Sequence, residues 1–216
     1  MNLSEILIFV PILLEGVKLT VIVTFGALIF STVLGLVWVL MRVSGYWVLE
    51  KISTWAVNIL RGTPILIQLF YIYFVLPEIG ITLTAVQAAI IGLGLAFSAY
   101  QSENFRAGIE AVDHGQVEAA QSLGMSWPLM MRRVILPQAA RIVLPTYGNT
   151  MIMILKDSSL ASTITVAELA FKGQILASST FKYSTVLTLV AFLYLFMSLP
   201  LISLVGWLER HKKSHD

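Results

Sequence analysis

No cysteine occurs among the 216 residues, which excludes disulfides, thiolate zinc sites and cysteine nucleophiles. Charge is nearly as scarce: Asp, Glu, Lys and Arg make up 12% of the chain, about half the fraction of an ordinary soluble domain. The net charge of +2 forms no basic stripe with interleaved aromatics, the footprint that nucleic-acid binding would leave. No G-x-x-x-x-G-K-[ST] loop is present, so the chain has no phosphate cradle of that kind. His114 stands alone, and His211 with His215 forms only an i,i+4 pair in a charged tail, so no metal site is expected. Neither a Ser/His pair nor paired Asp residues lie in the apolar runs, which leaves an intramembrane enzyme without catalytic groups. The opening MNLSE lacks the basic start of a cleavable signal and is expected to remain in the mature protein.

What is there is apolar. Hydrophobic residues make up 57% of the chain and gather in runs able to cross a hydrocarbon core, which takes about 20 helical residues. The expectation is an all-α membrane protein with five transmembrane helices in one domain, 1–216. Leu3 to Leu14, interrupted by Glu5 and Pro11, is too short to span and reads as a separate helix lying in the interface. The first span covers about 17–41 and is closed by Arg42. The second, about 52–76, is split. Tyr46 to Leu60 reads as an amphipathic helix, Arg61-Gly62-Thr63-Pro64 breaks the pattern, and Pro64 to Leu76 follows as a second apolar stretch. Further spans fall at about 84–112, 141–155 and 183–208, with a polar loop at about 113–137 between the third and fourth.

Lys and Arg favour the cytoplasmic side. Five spans place Arg42, Lys51, Arg106, Arg132, Arg133, Arg141, Arg210, Lys212 and Lys213 on one side, against Lys18, Lys156, Lys172 and Lys182 on the other. That bias predicts the N-terminus outside and the C-terminus inside. A four-span alternative, in which 64–76 does not cross, would put both termini on one side.

The polar loop carries the most specific pattern. Glu118-Ala119-Ala120-Gln121-Ser122-Leu123 favours a short helix, and Gly124 supplies a left-handed stop. Trp127-Pro128 opens a second helix, which Leu136-Pro137 is expected to end before the next span. A tidy surface connection would account for this much. The spacing goes further: E-A-A, three residues, Gly124, then Val134-Ile135-Leu136-Pro137 resembles the EAA loop of the membrane subunits of ABC importers, with Val134 where isoleucine is usual. Arg61-Gly62-Thr63-Pro64, Ala99-Tyr100 followed by Glu103 and Arg106, and Leu155-Lys156-Asp157-Ser158-Ser159-Leu160 are similar to the polar-amino-acid permeases of that family.

The resemblance covers about residues 15–208. It implies type I importer architecture in a bacterial cell (inner) membrane. A second copy or a paralogue would complete the pathway, two ATPase subunits holding ATP and magnesium would dock beneath, and an extracytoplasmic binding protein would deliver the substrate. Contacts to the ATPase would come from Glu118, Ala119, Ala120, Ser122, Leu123, Gly124, Met125 and Trp127, with Glu118 shaping the helix by capping it or by pairing with Arg132 or Arg133. This chain itself would carry no catalytic residue and bind no cofactor.

Candidate substrate residues keep a plain alternative beside the functional one. Glu103 faces the pathway or pairs with Arg106 on the same helical face. Asn149 can donate to and accept from an amino-acid head group or glue helices together, and Thr150 is the better fit to glue. Gln68 shares that ambiguity, and Asn104 and Thr63 border the same segments. Asp157 and Ser158 either border the substrate or cap a helix end beside Lys156. Arg61 is expected to pin the broken helix. Glu103 and Asp157 together favour a basic amino acid. The competing function is an ion-coupled secondary transporter, which the loop pattern and the lack of an inverted repeat oppose; a purely structural subunit would leave Glu103 and Asn149 unexplained.

Overall fold

The computed structural model describes residues 3–213, with side chains over 5–210, and within them the regular structure is helical. The first helix, α1, runs unbroken from Leu3 to Val43 with Pro11 inside it. Leu3 to Leu14 is therefore no separate interfacial helix. Phe9 and Leu13 are buried against Leu169, Leu176, Val186 and Val190, and that packing holds the segment helical through a proline that costs it one backbone hydrogen bond.

After α1, helix α2 (Trp47–Gly62) and helix α3 (Ile65–Phe70) meet at a 102° bend. Thr63 and Pro64 are extended there. The amide of Gln68 staples the bend, donating to the carbonyls of Leu60 (2.8 Å) and Thr63 (3.1 Å) and to the Thr63 hydroxyl (2.8 Å). From α3 the chain passes through a π turn, Tyr71–Val75, into a 3-10 turn, Leu76–Ile79, that stops at Gly80 with φ +86°.

Helix α4 (Ala85–Glu110) opens on a capping box between Thr84 and Gln87 and forms the centre of the fold. Its small residues let neighbours approach closely, the usual basis of helix contact in lipid. Gly94 receives Phe30 of α1, Gly92 receives Leu69 of α3, and Gly108 receives Val143 from a later helix. On α1, Gly26 and Gly35 return the favour to Ile90 and Gln101.

The polar insert begins with α5 (His114–Ser122), capped by Asp113, which accepts from the Gly115 amide at 2.7 Å, and followed by Gly124 at φ +73°. Helix α6 (Trp127–Met130) then passes through a second π turn, Met131–Ile135, straight into α7 (Leu136–Asp157). Leu136-Pro137 was expected to end the helix, and it does not. Pro137 has no N–H to give Arg133 and its ring would crowd that carbonyl. The π turn displaces the crowded group by one residue, and the Leu136 amide reaches back to Met131 instead. Tyr71–Val75 stands in the same relation to Leu76-Pro77, the Leu76 amide reaching Tyr71.

A 3-10 segment, Ser158–Ile164, leads to α8 (Leu169–Thr180) and to the last helix, α9 (Tyr183–Lys213). By length and composition Glu5–Val43, Ala85–Glu110 and Tyr183–Arg210 can each cross a membrane, and the bent pair α2–α3 can do so as one broken element.

Candidate substrate cavity and coupling surface

A polar hollow lies between the central helices. Phe97, Tyr100 and Asn104 of α4 and Thr146, Asn149, Thr150 and Met153 of α7 line a cavity of about 240 Å³. Asn104 donates to the Thr150 hydroxyl at 3.1 Å, and Thr150 in turn donates to the Thr146 carbonyl at 3.0 Å. Thr150 is buried while Thr146 and Asn149 are exposed. Asn149, Met153 and Asp157 follow at four-residue intervals and so share one face of α7. That face is open in the single chain although α7 is otherwise packed between α4 and α9.

Glu103 lies one residue from Asn104 and is drawn elsewhere. Its carboxylate pairs with Arg42 of α1, with Arg106 at 2.8 Å and, more distantly, with Arg61 at 3.8 Å. Arg106 also bridges to Glu110 at 2.7 Å, and the Arg61 guanidinium stands 5.9 Å from the Tyr100 ring centroid. One acid thus ties together the ends of α1, α2 and α4. Arg61, at the end of α2, reaches this cluster from a half-exposed position. Gln68 and Thr63 meet each other at the bend rather than at the cavity. Ser158 is fully buried and donates to the Leu155 carbonyl at 2.8 Å, so it too stays away from the hollow.

On the insert, Ala120 is buried with Val112, Met130, Met131, Ile135 and Ala139, which seats α5 on α6 and α7. Leu123 (77% exposed) and Trp127 (51%) project from it. Glu118 is exposed. Asp113 rather than Glu118 caps the helix, and among the described residues no ion pair joins Glu118 to Arg132 or Arg133.

Residues 31–214 match the family of binding-protein-dependent transport system inner membrane components. The chain belongs to that family. It is 40% identical to a Vibrio harveyi protein named "Probable amino-acid ABC transporter permease protein PatM", over 96% of this chain and 95% of the relative. The arginine transport system permease protein ArtQ of Bacillus subtilis is 32% identical, over 96% and 95%. A chain from the crystal structure of an amino acid ABC transporter with histidines superposes with a TM-score of 0.92 at 36% identity, covering 98% of this chain and 99% of that one. A chain of the MetNI methionine ABC transporter shares the fold, with a TM-score of 0.73 at 24% identity.

This chain is therefore an amino-acid ABC transporter permease subunit, a multi-pass inner-membrane protein without catalytic chemistry of its own. Its family works with a separate ATPase, a substrate-binding protein and a partner permease. Nothing in these likenesses supports the ion-coupled alternative.

The permease also holds a residue that sequence reasoning passed over. Glu168 is fully buried. It caps α8 by accepting from the amides of Ala170 (2.9 Å) and Phe171 (2.8 Å), and it accepts from the hydroxyls of Tyr194 on α9 (2.8 Å) and Thr20 on α1 (3.4 Å). Thr20 completes the ring by accepting from the Leu169 amide at 3.1 Å. The available signal was a lone acid in the apolar stretch Ile164 to Phe171, since an acid in such a place needs partners. Among the described residues of the permease no cluster of three His, Asp or Glu could hold a metal ion. The His211 side chain and His215 lie outside the described residues.

Proposed function

We propose that this permease supplies half of an ATP-driven import pathway for polar amino acids, with the α4–α7 cavity as its substrate contact. The convergence of Asn104, Thr146, Asn149 and Thr150 on one hollow carries the reading. Amides and hydroxyls can meet both the ammonium and the carboxylate of an amino acid without burying an unpaired charge. An open polar helix face suits a pathway better than lipid. Asp157, further along the same face, would greet a cationic side chain. With Glu103 engaged by arginines, the preference for basic amino acids rests on Asp157.

The direction of the helices supports five crossings. Gly26 meets Ile90, Phe30 meets Gly94 and Gly35 meets Gln101, so α1 and α4 run the same way. Glu5 pairs with Lys182, while Thr20 and Tyr194 share Glu168, so α9 runs that way too. Gly108 meets Val143 whereas Asn104 meets Thr150, so α7 runs against α4. Three parallel helices require two returns, which α3 and α7 provide. The basic bias then puts the N-terminus outside and the C-terminus inside.

The insert, with Leu123 and Trp127 foremost, docks the ATPase subunits. They hold ATP and magnesium, and this chain binds no cofactor. A second copy or a paralogue faces it across the pathway, and an extracytoplasmic binding protein delivers the amino acid. The test is reconstitution in liposomes with an ATPase subunit and a binding protein, comparing uptake of labelled arginine, histidine, glutamine and glutamate. ATP-dependent uptake that falls in Asn149→Ala is the expected result. Uptake driven by an ion gradient with no ATPase present would overturn the proposal.

A further inference from the structure

Helix α2 does not run along its neighbours. The α1–α4 contacts form a depth scale in which Gly35 lies level with Gln101. On that scale Ser53 of α2 donates to the Trp38 carbonyl at 2.7 Å. Eight residues later the Arg61 guanidinium still reaches the Tyr100 ring and the Glu103 carboxylate, near that same level. A helix along the membrane normal would have climbed about 12 Å over that interval, and the 102° turn sets α2 nearly at right angles to the chain that follows. Only after the 102° bend does the chain climb, bringing Leu69 and Ile72 to Gly92.

Around its own axis α2 is sorted three ways. Ser53 and Val57 are buried. Val48, Ile52, Trp55 and Ile59, spaced along one face, are 50–68% exposed. Lys51, Thr54 and Asn58 form a polar arc. With the Ser53 and Val57 flank against the protein, the stripe turns outward, and Leu49, Ala56 and Leu60 extend the apolar surface to the side opposite the polar arc. Exposed Tyr46 and Trp47 open the helix, residues that favour the boundary between lipid and water.

From this geometry we infer that α2 is an in-plane helix, seated in the headgroup–acyl boundary of the phospholipid leaflet at which α1 and α4 end. Its apolar stripe enters the acyl region, and its polar arc shares the headgroup layer with the arginines around Glu103. Phospholipid is the occupant because the stripe lies at the depth where two spans already bound by lipid come to an end. A Trp-bearing face opposite a Lys-bearing one is also the pattern such helices show, and the cations suit anionic headgroups. That the leaflet is the cytoplasmic one rests on the orientation proposed above; the in-plane setting does not.

Because the chain has no cysteine, single cysteines can be placed at 48, 51, 52, 55, 58 and 59 of the full chain. Each variant would be assembled with its ATPase in nanodiscs of phosphatidylethanolamine and phosphatidylglycerol and carry a nitroxide label. Collision rates with oxygen and with a water-soluble nickel chelate then report depth. The expected result is an oxygen maximum at 48, 52, 55 and 59, all at one shallow depth, and a nickel maximum at 51 and 58. A steady change of depth reaching about 16 Å between 48 and 59, the rise of a helix along the membrane normal, would overturn the inference. So would shielding of the stripe from both reagents, the mark of a second protein covering it. Loss of ATP-driven amino-acid uptake by the unlabelled wild-type assembly, with the flat depth profile intact, would count against the import pathway and not against this setting of α2.

Discussion

At the scale of single residues, the cavity and the arginine cluster make opposite demands on two neighbours in sequence. Asn104 turns to Thr150 across the hollow, while Glu103 turns to Arg42, Arg61 and Arg106. Removing an amide that meets a charged head group costs about 1.5–3 kcal/mol. Asn149→Ala should therefore raise the KM for amino-acid uptake about tenfold to a hundredfold, with the ATPase rate in the absence of substrate unchanged. Glu103→Gln should act differently. It leaves three arginines crowded together, so heat should unfold the purified protein at a lower temperature, while the ratio of arginine to glutamine uptake stays as it was. A changed ratio would restore Glu103 to the substrate path. The pairing with Arg106 was readable from three-residue spacing; the pairing with Arg42 spans 61 positions of sequence, and no local pattern records it. Glu168 was hidden in part for the same reason: its capping of α8 is local, but Thr20 and Tyr194 come from α1 and α9. Glu168→Ala removes the acceptor of the Tyr194 hydroxyl and uncaps α8. Its melting temperature should fall further than that of Glu168→Gln, which keeps an oxygen that can still accept.

At the scale of elements, glycine contacts decide how closely the helices approach. A methyl at Gly35 would meet the Gln101 Cβ at 2.8 Å and backbone of Ser98 and Ser102 at 3.1 and 3.2 Å, so nothing flexible can yield. A methyl at Gly108 meets chiefly the Val143 side chain. Both Gly→Ala changes should destabilise by about 1–3 kcal/mol, the usual cost of overpacking. Val143→Ala should rescue Gly108→Ala, however, whereas no substitution on α4 should rescue Gly35→Ala, as thermal melts in detergent would show. The sequence announced α5 through its helix formers and Gly124, and the bend at Arg61 to Pro64 through its breakers. It misled at Pro11 and Pro137, where proline reads as a stop. Tertiary packing overrides the first and a π turn absorbs the second, and neither is visible in local composition.

For the whole molecule, the test lies in which side each loop reaches. With no native cysteine to interfere, Ile79→Cys and Phe181→Cys should react with an impermeant maleimide in intact cells. Leu123→Cys should react only once the membrane is inverted. Reaction of Ile79 only after inversion, with Leu123 labelled in intact cells, would remove the crossing by α3. The long spans within α1, α4 and α9 were legible as apolar runs, but the course of the broken element after α1 was not, because a helix lying flat and a helix standing up share the same periodicity. The π turn at Met131–Ile135 has a consequence at this scale. A π turn amounts to one residue of slack in an α-helix, and one residue is worth about 100° of rotation and 1.5 Å of rise. Deleting a single residue there would swing Leu123 and Trp127 more than a quarter of the way around the axis of α7 while leaving every span intact. The compass bearing of the protein's polar knob is thus set by a surplus of one amino acid.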